Sequence, residues 1–459
     1  MAAEGGGRIV VVGAGPAGIC AAAALVYAGI RPVVIDEAPR GGGQIFRRPP
    51  EGFARPAEAL YGLDAGAARQ THSAFDALLP RIDYRPNTLV WNIHARSVHV
   101  LEQAGGRDAI PYDSLLLATG AMDRVVPFPG WTLPGVYTLG GAQIALKYQG
   151  CAIGRRVVFV GSSPLLYLVA YQYARAGAEV AAVLDTAPFT VKLAALPSML
   201  WGGATFAKGL YYLGWLKARR VPIVSGVTPL RAEGRDGVER LVWRAADGGE
   251  RDTGCDGLAM GWGLKSESQL ADLAEVPFAF HAGQRQWIPQ ADENGRTPVP
   301  GVYVCGDGAG IAGAEAAALA GERAALALLK DRGHAPDDAR LTAIARKQAR
   351  LRRFRRGLEI AFPFPEAMAR NIPDDTLLCR CEAVTVGELR RWIGELDAGE
   401  LNRAKAFSRV GMGRCQGRVC GPTAAEIVAG ECDASLESVG RLRAQPPVKP
   451  IPLQNSPAA

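Results

Sequence analysis

Four cysteines cluster late in the chain. Cys379 and Cys381 form a C-x-C pair, and Cys415 and Cys420 form a C-x4-C pair after a spacer of 33 residues. Four thiolates from two short loops can enclose a [2Fe–2S] cluster, and zinc is the rival occupant. Structural zinc sites usually space both pairs as C-x2–4-C, so C-x-C favours the cluster. Glycines around Cys415 and Cys420 free the backbone to wrap such a group and turn N–H groups toward its sulfurs. Arg380, Arg414 and Arg418 stand where they could offset its negative charge. The remaining cysteines are scattered through apolar or strand-like settings and read as ordinary core or surface residues.

A second constellation opens the chain. Gly13-Ala14-Gly15-Pro16-Ala17-Gly18 follows the apolar run 8–12, and a helical pattern and a second apolar run, 32–35, come after it. Asp36 stands 23 residues after Gly13. In a strand–turn–helix–strand unit Gly13 permits the turn, Gly15 admits a pyrophosphate to the backbone, and Gly18 lets helix and strand pack closely. The helix N-terminus faces the phosphate charge, and Asp36 can bond a ribose hydroxyl. Glu37 follows, then Gly41-Gly42-Gly43-Gln44 passes close to the same site. Farther on, Ala118-Thr119-Gly120 ends an apolar run, and Gly306-Asp307 ends another just before a helical stretch from Ala314. Val90 falls in an alternating segment that completes the candidate nucleotide-contacting set.

Residues 155–185 repeat the strand–turn–helix–strand pattern with a broken glycine signature, Gly161-Ser162-Ser163-Pro164-Leu165-Leu166, and Asp185 at the end of the second strand. Ser163 takes the pyrophosphate-approach position and Leu166 the helix-packing position. Two readings compete: NAD(P)H held through a modified loop, with Asp185 favouring NAD over NADP, or a retained fold that has lost its ligand. The second is favoured, because fold and ligand are separable. No C-x4-C or C-x-x-C lies near the first site, so a redox-active disulfide is excluded there. The five histidines carry no nucleophile or metal spacing, and no catalytic base is identified. Segment 189–219 holds Trp201, Tyr211, Tyr212 and Trp215 and reads as helices packed on the core or on a partner, with a substrate lid as the open alternative.

Taken together, GAGPAG, GGQ, ATG and PGVYVCGD resemble the FAD domain of the glutathione-reductase-type flavoproteins over roughly residues 8–330. That resemblance implies that Asp307 bonds the flavin's ribityl chain and that Ala118–Gly120 lie beside the cofactor. The late cysteines in LLCRCE and GMGRCQGRVCGP resemble the bacterioferritin-associated-ferredoxin-like (BFD-like) [2Fe–2S] domain. The combination is similar to the large flavin subunits of heteromeric amino-acid and imino-acid dehydrogenases, of the hydrogen cyanide synthase B, opine oxidase A and D-hydroxyproline dehydrogenase type. The expected architecture is α/β: a glutathione-reductase-like protein with two dinucleotide-binding domains and a small α-rich C-terminal [2Fe–2S] domain. The expected parts are an FAD-binding domain at 1–145 and 255–335, an NAD(P)-binding-like domain at 146–254, a basic linker or helix at 336–372, a BFD-like domain at 373–435, and a tail at 436–459.

The resemblance implies FAD and a [2Fe–2S] cluster in this chain, with FMN at a subunit interface as a further candidate. It also implies two partners, an amino-acid-oxidase-like flavin subunit plus a small [2Fe–2S] ferredoxin-like one. In that reading the flavin partner oxidises a C–N bond and this chain carries the electrons away. Two alternatives stay open: a self-contained NADH-dependent reductase, and an assembly subunit whose first site holds another adenine nucleotide. The chain has 459 residues, 48% of them hydrophobic and 21% charged, with a net charge of +7. Much of the excess lies in Ala345–Arg356, read as a solvated helix face or an acidic-partner surface rather than a nucleic-acid site. No apolar run reaches bilayer length and the N-terminus lacks a basic signal region, so a cytoplasmic protein is expected.

Overall fold

The computed structural model describes residues 7–53, 55–335 and 337–452. Apolar β-branched runs bounded by glycine build two parallel sheets of five strands. In the first, Ile9–Val12 is buried along its whole length and pairs in parallel with Val33–Ile35 and Ser114–Leu117. Asp83–Arg85 extends one edge and Val302–Val304 the other. Strands covered on both faces are near-continuous hydrophobic runs, which is what these segments are. The helices Pro16–Tyr27 and Ala314–Asp331 lie against one face and share a core with Ile9, Val11 and Leu116.

The second sheet repeats the plan. Arg156–Gly161 lies between Glu179–Asp185 and Gly257–Gly261, with Ile223–Ser225 and Val136–Thr138 at the edges, all parallel. Each half also carries a three-stranded antiparallel sheet, which precedes Ser114–Leu117 in the first half and Gly257–Gly261 in the second: Thr88–His94 with Ser97–Glu102 and Arg107–Pro111, and Thr228–Glu233 with Arg240–Arg244 and Glu250–Gly254. The chain crosses between halves through the ladder Ala121–Asp123 with Leu264–Ser266.

The strand pairing moves the expected boundaries. Val136–Thr138 and Gly257–Gly261 hydrogen-bond into the second sheet, so that domain begins before residue 146 and ends after residue 254. The sequence hid this because an edge strand of three residues carries almost no periodicity.

The basic segment is one helix, Asp338–Ala361, capped by Asp337, whose side chain accepts from Arg340 N. It packs on the helix Phe189–Met199, and Gly357 is where the two backbones meet. The C-terminal module follows: a hairpin of Leu377–Cys379 with Val384–Thr385, then helices Val386–Leu396, Leu401–Ser408 and Gly421–Glu431. Thr385 and Glu388 form a capping box at the first of these, so its start is fixed by two reciprocal hydrogen bonds. The module's core is continuous with that of the second domain. Trp131 Nε1 donates to Leu377 O at 2.6 Å, and buried Thr423 Oγ1 donates to Val125 O at 2.7 Å.

Residues beyond 435, expected as a tail, are structural as far as 452. Arg441 pairs bidentately with Asp272 at 2.6 and 2.7 Å, and Val448 N donates to Trp91 O at 3.1 Å. Lys449 pairs with Glu37. Among the described residues no helix is long and apolar enough to cross a membrane.

Candidate functional site

The first glycine loop fits its expected geometry. Gly13 has φ +106°, and a Cβ there would fall 2.3 Å from Ala118 O, so the loop and the end of Ser114–Leu117 touch backbone to backbone. A Cβ on Gly18 would meet Gly13 O at 1.8 Å. Around Gly15, by contrast, only Gly43 Cα lies within reach, at 3.6 Å. That opening sits at the N-terminus of Pro16–Tyr27, which has no side-chain cap and no acid in its first turn. Free N–H groups and an uncompensated dipole make this end an anion site. The loop 41–44 closes over it, with Gly42 N donating to Ala14 O at 2.8 Å, and Gln44 is exposed.

Asp36 ends Val33–Ile35 as expected, but its carboxylate also fastens the loops: Ala14 N and Ala38 N both donate to it. Burial pushes its pKa up and these donors pull it back. Each oxygen keeps a lone pair for a ribose hydroxyl. Glu37 is exposed and committed to Lys449. The side chain of Val90 is buried in the core, and a register shift breaks the strand pairing directly after it, so only its backbone is available to a ligand. Asp307 Oδ1 accepts from Ala312 N and Gly313 N at 2.8 and 3.0 Å, and among the described residues Oδ2 has no partner. Gly306 rests against Ala17, which brings the Asp307 turn onto the first helical turn. Loop 13–18, Asp36, Gly43, Ala118 and the Asp307 turn thus lie against one another around the helix N-terminus.

The second cradle is filled. Leu166 is fully buried where a glycine would let the helix approach, and Ser163 Oγ accepts from Leu166 N to cap the helix Pro164–Arg175. Asp185 has no exposed surface. Tyr167 OH donates to it at 2.6 Å, Ala187 N at 2.8 Å, and Lys192 Nζ makes an ion pair with it. Phe362 closes the cluster, its ring 6.3 Å from that of Tyr167 and 5.6 Å from Lys192 Nζ. The acid that would hold a ribose is consumed internally. The sequence showed Ser163 and Leu166; nothing in it pointed to Tyr167, Lys192 and Phe362, which meet only in the fold.

The four late cysteines come together. The Leu377–Cys379 hairpin and the 411–420 loop touch, since a Cβ on Gly413 would fall 2.3 Å from Cys381 Cβ. Cys420 donates toward Cys379 and Cys415, and Cys415 interacts with Cys381. These contacts, with backbone N–H groups of both loops, bring Cys379 down to about 6 and Cys415 down to about 5, while Cys420 rises well above its ordinary value. Cys420 also sits at the N-terminus of Gly421–Glu431. Among the described residues no three His, Cys, Asp or Glu side chains stand in the arrangement that holds a metal ion, and the four sulfurs meet in pairwise contacts. The convergence of the four thiols and the backbone N–H donors around them fit a cationic iron centre.

One charge is placed differently from the sequence expectation. Arg418 is buried and does not stand free beside the sulfurs. Its guanidinium pairs with Glu267 at 2.7 and 3.2 Å. Glu267 in turn accepts from Thr119 Oγ1 through its carbonyl and donates its N–H to Gly120 O at 3.0 Å. The cluster loop is thereby bonded to the strand end of the first cradle. Glu267 was missed because its partner lies 151 residues away. Arg380 leans over the Trp131 ring at 5.7 Å, and Arg414 is exposed.

Residues 7–324 match the family model described as pyridine nucleotide-disulphide oxidoreductase, and residues 377–430 match the BFD-like [2Fe-2S] binding domain. The opine oxidase A polypeptide of Agrobacterium tumefaciens (strain Ach5) is 39% identical, over 97% of this chain and 90% of its own. The hydrogen cyanide synthase subunit HcnB of Pseudomonas aeruginosa is 34% identical, over 97% of both. Among solved structures, an L-proline dehydrogenase from P. horikoshii shares the fold with a TM-score of 0.72 at 20% identity, covering 98% of this chain and 79% of that one.

Proposed function

The chain belongs to the pyridine nucleotide-disulphide oxidoreductase family, alongside the opine oxidase A polypeptide and hydrogen cyanide synthase subunit HcnB, and from that premise we propose that it is the electron-transfer subunit of a heteromeric dehydrogenase. A partner subunit oxidises the C–N bond of an amino acid, an imino acid or an opine, and this chain receives the electrons. The observation that carries the reading is one glycine-lined nucleotide cradle and one converged set of four cysteines beside a second nucleotide cleft occupied by its own side chains. FAD and the [2Fe–2S] cluster, when bound, supply the carriers for one or two electrons and for single electrons.

The chain's own residues do the positioning. Loop 13–18, Asp36 and Asp307 orient the dinucleotide. Cys379, Cys381, Cys415 and Cys420 hold the cluster. The Arg418–Glu267 pair fixes one loop against the other in a water-poor contact, where a charge-assisted bidentate bond is strong. Tyr167, Lys192 and Phe362 shut the second nucleotide site, so reducing equivalents enter from a partner rather than from NAD(P)H.

The test is recovery of the tagged chain from its native cells under mild conditions, followed by assay with a panel of opines, D-amino acids and imino acids and dichlorophenolindophenol as acceptor. A co-purifying flavin subunit is expected, together with dye reduction by at least one substrate and no activity from the chain expressed alone. Substrate oxidation by the isolated chain, or its recovery without any companion, would overturn the proposal.

A further inference from the structure

The four sulfurs differ in exposure. Cys379 and Cys420 are buried, Cys415 is half-buried and Cys381 is exposed. The outward edge of the cysteine set therefore lies at Cys381 and Cys415. Electron exchange with another protein falls steeply with distance, so it passes through that edge.

Beside the edge opens a groove of about 630 Å³, between the helix Leu401–Ser408, the Cys415 loop and the chain from Gln445 to Pro450. Its lining contains three cations, Lys405, Arg409 and Arg414, and no acid. Arg409 shares its charge with Glu382 at 2.8 Å. Arg414 is exposed and Lys405 is only 8% exposed, and neither has an ion-pair partner among the described residues. Arg380, next to Cys381, is also exposed. The opposite wall is formed by Pro446, Pro447 and Pro450, which offer no backbone N–H, so recognition there falls to the cationic side chains.

We propose that the Cys381–Cys415 edge, with the exposed cations Arg380 and Arg414 beside it, is the docking face for an acidic one-electron carrier protein. The proposal rests on the electron-transfer reading of this chain, to which it adds the exit port and the chemistry of the acceptor. One electron leaves through the Cys381 edge and the acceptor's centre is reduced by that electron; no bond forms or breaks and no proton is required. A carboxylate-bearing surface is drawn to the unpaired cations, which raises the encounter rate and orients the acceptor toward the exposed sulfur.

The experiment uses the purified full chain, reduced anaerobically with dithionite and freed of excess reductant. Reoxidation is followed by stopped flow with two small probes of opposite charge, ferricyanide and hexaammineruthenium(III). Wild-type chain is expected to react with ferricyanide at a rate that falls as salt rises, and Arg380→Glu with Arg414→Glu is expected to lower the ferricyanide-to-ruthenium rate ratio about tenfold or more. The neutral pair Arg380→Gln with Arg414→Gln should fall between, which guards against a folding artefact. Arg352→Glu with Arg356→Glu makes the same change in net charge on the exposed face of Asp338–Ala361 and should leave the ratio unchanged. Equal ratios in all four proteins, or an equal drop in the Arg352/Arg356 control, would overturn the docking face while the electron-transfer reading stands. Absence of a [2Fe–2S] EPR signal from the reduced chain would overturn both.

Discussion

Single residues decide which cradles can be occupied. Gly18 has no room for a side chain, so Gly18→Val forces loop and helix apart at a cost of about 3 kcal/mol or more. The expected outcome is a chain purified with little flavin but a normal cluster signal, read from the absorption ratio of flavin to protein. Cys381→Ser should do the reverse: the exposed thiol is lost with little effect on folding, the flavin band stays, and the cluster's EPR signal disappears. Lys147 makes a third, independent prediction. It is buried, donates to Ile45 O at 2.9 Å, and burial brings its pKa down to about 7 from an ordinary value of 10.5. A folded lysine with a lowered pKa holds fewer protons than the unfolded chain between those two values, so stability rises with pH across that interval. Urea midpoints for the wild-type chain should therefore climb relative to Lys147→Met between about pH 7 and pH 10. Parallel curves would show that Lys147 is not held neutral.

At the scale of elements, the repeated strand–loop–helix unit was readable because its signals are local. The starts of Pro16–Tyr27, Pro164–Arg175 and Val386–Leu396 follow from glycine, proline and capping residues within a few positions. The cysteine spacing likewise gave the cluster loops. What escaped the sequence was made of pairings between distant segments: Arg418 with Glu267, Phe362 against Tyr167, and Leu442 seated among Gly411, Gly417 and Gly421. Such contacts leave no periodic trace, and the short edge strand Val136–Thr138 leaves none either. The Leu442 contact carries a prediction. Ending the chain after Gly440 removes that contact, the Arg441–Asp272 pair and the Val448 bond to Trp91, while leaving all four cysteines. The unfolding temperature should fall by about 5 °C or more, and a chelator should strip the cluster faster than from the full chain. An unchanged rate of loss would mean that 441–452 does not hold the cluster loops.

Across the whole molecule, a repeated architecture has been put to two uses. The first half keeps an open cradle at a helix N-terminus; the second keeps the sheet and spends its cleft on Asp185, Tyr167, Lys192 and Phe362. The C-terminal module shares a core with that second half and reaches the first through Arg418 and Glu267, so its position relative to both is fixed by packing as well as by charge. A protein built this way packs its FAD and [2Fe–2S] modules against each other, and the side chains around Asp185 occupy its second nucleotide cleft. The most direct measurement is an anaerobic absorption spectrum of the purified chain, recorded before and after NADH and again after dithionite. Flavin and iron–sulfur bands that persist with NADH and bleach with dithionite are the predicted result. Rapid bleaching by NADH would contradict the closed second site and make the chain a nicotinamide-driven reductase.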